Sequence, residues 1–161
     1  IACYLEDRFP NKPSLFGGRI GRGMARHINF WSDTQLAPPL RRVIYADFPA
    51  VLDADDRAYF RTTRERDLGM TLEAACSDPK AKLAAFQQAC EPLERTLSAQ
   101  PYICGTAPAY ADYTVFSVFQ WARLGSPTEI ATQGSAIADW RSRMIALFDN
   151  LGDMFPAYPT K

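Results

Sequence analysis

The stretch that most constrains this chain is Leu97 to Leu124, LSAQPYICGTAPAYADYTVFSVFQWARL. A turn punctuated by Gly105 and Pro108 leads into a run carrying Val115, Phe116, Val118, Phe119 and Trp121, with no formal charge between Asp112 and Arg123. A helix that is apolar nearly all the way round is stable only when other helices wrap it, so this run predicts a bundle with itself at the centre. Asp112 stands three positions after Ala109, the place from which an acid reaches back to the N-cap backbone N–H. Ala109 has no side-chain oxygen, so the reciprocal half of that capping box is missing, at a usual cost of about 1 kcal/mol. Asp112 is expected to be a buried structural cap.

The rest of the chain supplies the wrapping. A short helix is expected to end near Arg8, and Phe9 to Gly18, with two Pro and two Gly, reads as a linker. Ile20, Met24, His27, Ile28, Trp31 and Gln35 recur at helical spacing, which predicts a helix over Arg19 to Leu36 carrying that stripe. Pro38 and Pro39 lack the N–H a helix needs, and Pro38 disfavours helix at Ala37; a break is expected there, with resumption from Leu40 to Asp47. Further helices are expected from the Asp53, Asp55 and Asp56 cluster to about Asp67, over Thr71 to Cys76, over Lys80 to Leu97, briefly over Thr128 to Ala131, and over Ala136 to Leu151. Leu83, Phe86, Gln87, Cys90, Leu93 and Leu97 form the inward stripe of the third of these elements, Lys80 to Leu97, and Trp140, Met144, Ile145 and Phe148 that of the last. The tail, Gly152 to Lys161, has no period, and no alternating strand pattern or repeat occurs. The fold class is all-α.

A chain of 161 residues corresponds to one domain, by the usual size of roughly 150 residues, and 47% apolar residues supply a core. Eighteen basic and eighteen acidic residues cancel, so no long-range field gathers nucleic acid or an anionic membrane surface. No run approaches the roughly 20 apolar residues of a membrane helix and no basic-then-apolar leader opens the chain, so a soluble, unsecreted, cytoplasmic protein is expected. Cys3, Cys76, Cys90 and Cys104 lack CxxC spacing and scaffold density, which favours reduced thiols. His27 is the only histidine, so no multi-histidine metal site is possible and no metal is expected. Gly17 to Gly23 fails the dinucleotide pattern because Arg26 stands where its third Gly belongs. Asp53, Asp55 and Asp56 lack the Gly and distal Glu of a calcium loop. Arg19, Arg22 and Arg26 lie along one side of their helix, either as a solvated face or as an anion-attracting one.

Three motifs carry a resemblance to a known family. Tyr102 to Tyr113 is similar to the turn "fl-G-x-x-(P)-S/T-x-A-D" that enters the core helix of the glutathione S-transferase C-terminal domain, with Ala109 at its Ser/Thr position. Ile1, Tyr4, Leu5, Phe9 and Pro10 resemble the second half of "E/D-S-x-x-I-x-x-Y-L-x-x-x-F/Y-P", with which the thioredoxin-like domain of these enzymes closes. Leu15-Phe16-Gly17 matches the linker. The resemblance therefore implies a glutathione S-transferase C-terminal-like helical bundle over 18–161, preceded over 1–17 by the last helix of a missing thioredoxin-like domain and the interdomain linker. Leu52 to Phe60, Phe119-Gln120-Trp121, Asp139-Trp140 and Phe148-Asp149 look most like the glutathione-dependent β-etherases of lignin-degrading bacteria and their fungal relatives.

The family implies that glutathione is co-substrate and that a hydrophobic small molecule is acceptor, attacked by the glutathione thiolate, an aryl ether being one such electrophile. His27, Phe30, Trp31, Tyr113 and Phe116 would line the acceptor pocket, and Arg22 and Arg26 would lie near glutathione. The thiol-activating residue and nearly all glutathione contacts belong to the thioredoxin-like domain, so no catalytic residue is expected in this chain and the chain alone should be silent. A homodimer is implied for the full-length protein. The competing reading is a non-catalytic ligand-binding or protein-interaction module of the same fold.

Overall fold

The computed structural model describes residues 1–158; the last three residues of the tail expected to be aperiodic, 159–161, lie outside the described residues. Among the described residues nine α-helices follow in order: α1 (Ala2–Arg8), α2 (Arg19–Trp31), α3 (Ala37–Ile44), α4 (Ala54–Leu68), α5 (Leu72–Ala75), α6 (Pro79–Ala89), α7 (Glu91–Ala99), α8 (Tyr110–Gly125) and α9 (Ala136–Asn150). Among the described residues there is no strand, only an isolated bridge between Tyr102 and Gly105.

The apolar run is α8, and of its sixteen residues only Ser117 is exposed. Val115, Val118, Phe119 and Ala122 are buried there against Leu36 from the turn between α2 and α3, Leu40 and Ile44 from α3, Phe86 from α6, and Trp140 and Met144 from α9. Trp140 is fully buried, edge-on to both Phe116 and Phe119. A second aromatic group, Tyr45, Phe48, Phe60 and Trp121, closes the far end of α8. Gly125 lies under it, where an added Cβ would fall 1.9 Å from the Phe48 ring, so no larger residue fits without displacing that ring.

Asp112 is 0% exposed at the start of α8. Its Oδ1 accepts from the Ile103 N–H at 2.7 Å and the Trp140 indole N–H at 3.0 Å; its Oδ2 accepts from the N–H groups of Ala109 and Cys104 at 3.1 and 3.2 Å. Only the acid's half of the capping box exists. The same carboxylate also serves the preceding turn and the last helix.

Several elements depart from the sequence expectation. The chain does not break at Pro38 and Pro39. It runs on through a single wide turn, Ser32–Leu36, in which the Ala37 N–H reaches back five residues to Ser32 O, and Ala37 itself is helical at φ −64°, ψ −40°. The wider turn makes room for two pyrrolidine rings that would clash with carbonyls four residues back. The helix that follows stops at Ile44, not Asp47. Lys80 to Leu97 is two helices parted at Cys90, because Pro92 has no N–H for the Gln88 carbonyl. Thr128 to Ala131 is not helical: Ser126 Oγ takes the Thr128 N–H at 3.1 Å and the Glu129 carboxylate takes the Ala131 N–H at 2.9 Å, so side chains replace the backbone ladder.

The stripe on α2 is also displaced. Ile20 and Met24 are 85% and 56% exposed, His27 and Gln35 are exposed, and the buried positions are Ala25, Ser32 and Leu36. The inward face is turned by about a quarter of the helix circumference from the one the large apolar residues mark. Small residues let α2 approach α8: Ala25 packs with Ala111 beneath Phe16. In α9, Leu147 turns extended and Phe148, Asp149 and Asn150 adopt left-handed φ of 53°, 57° and 63°, so Phe148 leaves the apolar face and is 67% exposed.

Removing the Asp112 carboxylate strands several buried N–H donors at once, each costing about 1–3 kcal/mol. Asp112→Ala is expected to lower stability by at least about 3 kcal/mol. Asp112→Asn should recover only part of this, because its amide nitrogen faces donors. Urea unfolding of the three proteins checks it; a midpoint unchanged in Asp112→Ala would refute the role.

Candidate functional site

The segment between α1 and α2 positions the candidate site. The Glu6 carboxylate accepts from Ser14 Oγ and, at 2.8 Å, from the Leu15 N–H, while Leu15 O accepts from the Tyr110 N–H at 2.8 Å. Phe16 is thereby set against Tyr110, with ring centroids 4.9 Å apart, and it is buried. Gly21 is required where α2 passes beneath, since an added Cβ would fall 1.8 Å from Phe16 O.

The line of Ala25 and half-buried Ile28, continued by buried Ser32 and Leu36 in the wide turn, divides the remaining surface of α2 into two flanks. On one flank Arg22, Arg26 and Phe30 meet Ile1, Cys3 and Tyr110 around a groove of about 190 Å³. Arg22 is held in a two-point ion pair with Asp7, at 2.5 and 3.0 Å, and its guanidinium also lies over the Phe16 ring. That bond keeps the Asp7 carboxyl below the usual carboxylate range and pushes the Arg22 guanidinium further up. Arg22 thus fixes α1 against α2. Arg26 is exposed and has no ion-pair partner among the described residues, which makes it the available cation of this groove.

On the other flank, His27 and Trp31 face Pro92, Leu93 and Thr96 of α7 across a groove of about 180 Å³. Between the flanks, a larger hollow of about 610 Å³ lies under the 14–17 segment and the turn before α8, lined by Met24, Ile28, Cys104 and Ala107 among others. Nothing in the apolar spacing marked this hollow; it follows from Gly17, Gly21, Ala25 and Ala111, whose small side chains leave the space.

Tyr113 and Phe116 lie on a different face. Tyr113 stacks on Phe148, centroids 6.4 Å apart, and Phe116 meets Trp140 edge-on. The five aromatic and histidine positions therefore do not line one cavity. Arg22, Arg26 and Phe30 come together, His27 pairs with Trp31, and Tyr113 pairs with Phe116 beside the end of α9. The reason is angular: Phe30 and Trp31 diverge by about 100° on the helix and fall on opposite sides of the buried line. Burial lifts the Tyr113 hydroxyl above its ordinary pKa, with the Asp112 charge contributing, so it stays a neutral donor at physiological pH.

The glutathione S-transferase C-terminal domain family model matches residues 24–150. Among solved structures, the glutathione transferase GSTFuA3 from Phanerochaete chrysosporium superposes with a TM-score of 0.75 at 23% identity. The match covers 88% of this chain and 60% of that one, so this chain spans well under two thirds of the length of the structure it resembles. At that identity the likeness speaks for the fold.

The thiols give a direct check of these surroundings. Cys3 and Cys104 are exposed, whereas Cys76 and Cys90 are buried. Burial pushes Cys90 up to about 12, and raises Cys104 with help from the Asp112 charge. Labelling the native protein with a thiol-specific disulfide reagent at pH 8 should modify Cys3 first, Cys104 more slowly, and Cys76 and Cys90 only after denaturation. Peptide mass mapping reads the order; rapid native labelling of Cys90 would contradict the packing.

Proposed function

Because the chain belongs to the glutathione S-transferase C-terminal domain family, we propose that it is the acceptor-binding part of an enzyme that conjugates glutathione to, or cleaves with glutathione, a hydrophobic electrophile such as an aryl ether. The family match over residues 24–150 carries this reading. In it, residues 1–17 are the end of a thioredoxin-like domain and its linker, and 18–161 the helical domain. Support comes from α1, which has no buried residue and leaves Ile1, Tyr4 and Phe9 open, an apolar face suited to a covering domain.

Chemically, a glutathione thiolate attacks the electrophilic carbon, a C–S bond forms, and the leaving group departs with the bonding pair and takes a proton from solvent. For an aryl ether the leaving group is a phenolate. The group that lowers the thiol pKa lies outside this chain, which supplies the surroundings. Arg26, with Arg22 behind it, offers positive charge to the two carboxylates of glutathione. Phe30, the His27 and Trp31 pair, and the Tyr113 and Phe116 pair offer aromatic surface to the acceptor. Glutathione, the acceptor and a second copy of the full-length protein are the proposed partners.

The test uses the protein that carries this chain together with its thioredoxin-like domain. It should consume glutathione with 1-chloro-2,4-dinitrobenzene and release phenol from a β-aryl ether, while residues 1–161 alone give no turnover above the uncatalysed rate. Arg26→Ala should raise KM for glutathione by about 3- to 10-fold with kcat little changed. An unchanged KM removes Arg26 from the glutathione site. Absence of turnover with every electrophile, with ligands still bound, would favour the non-catalytic module.

A further inference from the structure

At the C-terminal end of α8, away from the groove just described, a cavity of about 270 Å³ opens between that helix, the 126–130 loop, α9 and the tail. Arg123 lines it about 20 Å along α8 from Tyr110, counting 1.5 Å of rise per residue. Ala122, Ile130 and Ile145 make its apolar floor. The volume lies just below the range usual for drug-sized ligands, about 300–1,000 Å³, and leaves room for one ring.

Two arginines line it, with side chains only 17% and 20% exposed, and they differ in how firmly each is held. Arg141 makes a two-point pair with Glu129 at 2.6 and 2.7 Å, and Glu129 is fixed from its other side by the Ala131 N–H at 2.9 Å. The Arg141 guanidinium holds the Glu129 carboxyl below its ordinary pKa, so this pair stays a fixed, neutral wall. Arg123 donates to Phe155 O at 3.0 Å and to the carboxylate of Asp153, which is 61% exposed. Asp153 sits on a short turn just beyond the left-handed residues 148–150. An ion pair with one side in water contributes little and exchanges readily. The cavity therefore combines an apolar floor with one cation whose present partner can leave into solvent.

We propose that this cavity is a second ligand site, for a small aromatic carboxylate whose anion takes Arg123 in place of Asp153 while its ring lies on Ala122, Ile130 and Ile145. The site is independent of glutathione chemistry. Occupation releases the ion-pair hold on the tail, which keeps its remaining ties: Gln120 Nε2 to Gly152 O at 2.6 Å and the Tyr158 N–H to Arg123 O at 2.9 Å. Tyr158 also lines the cavity, so the tail remains one of its walls.

Benzoate is the probe and benzamide, of the same shape without the charge, its control. Titration of residues 1–161, followed on the arginine Nε–H signals by NMR and by calorimetry, should show saturable benzoate binding that shifts the Arg123 signal, with benzamide at least about 10-fold weaker. Asp153→Asn should tighten benzoate at least about 3-fold, an effect that loss of structure does not produce. Ile145→Trp, which fills the cavity, should abolish binding, and Arg26→Ala should leave it unchanged. Asp153→Asn, on an exposed side chain, tests the site whether or not Ile145→Trp folds. Equal affinity for benzamide, no tightening in Asp153→Asn, or loss of binding in Arg26→Ala would each overturn the proposal.

Discussion

A single buried carboxylate organises this bundle. Asp112 sits where the turn after α7, the start of α8 and the second turn of α9 meet, and it accepts a hydrogen bond from each of them. A charge with no solvent exposure is costly unless donors surround it, and here the donors are three backbone N–H groups and an indole. The helix start adds its own positive end. The consequence reaches beyond local capping. Trp140 can be fully buried only because its N–H has this partner, and Trp140 is the ring on which Phe116 and Phe119 close. The Ser or Thr that Ala109 replaces becomes dispensable, since the acid is anchored from other directions.

The second constraint is proximity. The α2 helix lies close to α8 because Ala25 and Ala111 face each other, and the 14–17 segment lies close to α2 because Gly21 has no Cβ. Close approach at these points leaves space beside them, and the hollows follow from it. Two prolines then enter the continuing helix without a break because one turn widens and the chain keeps its direction. Backbone geometry that a rule of local propensity forbids is here tolerated by a bundle that fixes both ends of the segment.

This explains what could and could not be read from the amino-acid sequence. The core helix, its acid, the acid-rich start of α4 and the all-helical architecture were legible because each rests on strong local chemistry: unbroken apolarity, a carboxylate at a fixed offset, acids at the positive end of a helix. The inward face of α2 was not legible. Ala25 and Ser32 are core residues by virtue of size, and a pattern search weighted to large apolar side chains passes over them in favour of Ile20 and Met24. The same rotation of the inward face decides where the aromatic residues of α2 stand, since it sends Phe30 and Trp31 to opposite flanks. The 128–131 loop was missed for a different reason: Ser126, just before it, donates to Asp47, and Glu129 within it pairs with Arg141, partners far along the chain that no local window contains.

Carboxylates in this protein do two kinds of work, and the difference bears on where ligands can act. Those that accept backbone N–H groups, Asp112 at the start of α8 and Glu94 at the start of α9, hold the core helices to one another. Those that pair with arginines fasten short or peripheral pieces: Asp7 ties α1 to α2, Glu73 ties α5 to α4, Glu129 ties a loop to α9, and Asp153 ties the tail to α8. In all four pairs the acid is more than half exposed, so each contributes modestly; Glu129 is held in addition by the Ala131 N–H, whereas Asp7 and Asp153 have only their arginines and can be exchanged for another anion. The segments so fastened border two of the grooves. A ligand with a negative charge therefore meets this domain first where its attachments are weakest, and it can rearrange α1 or the tail without disturbing the buried carboxylate on which the bundle depends.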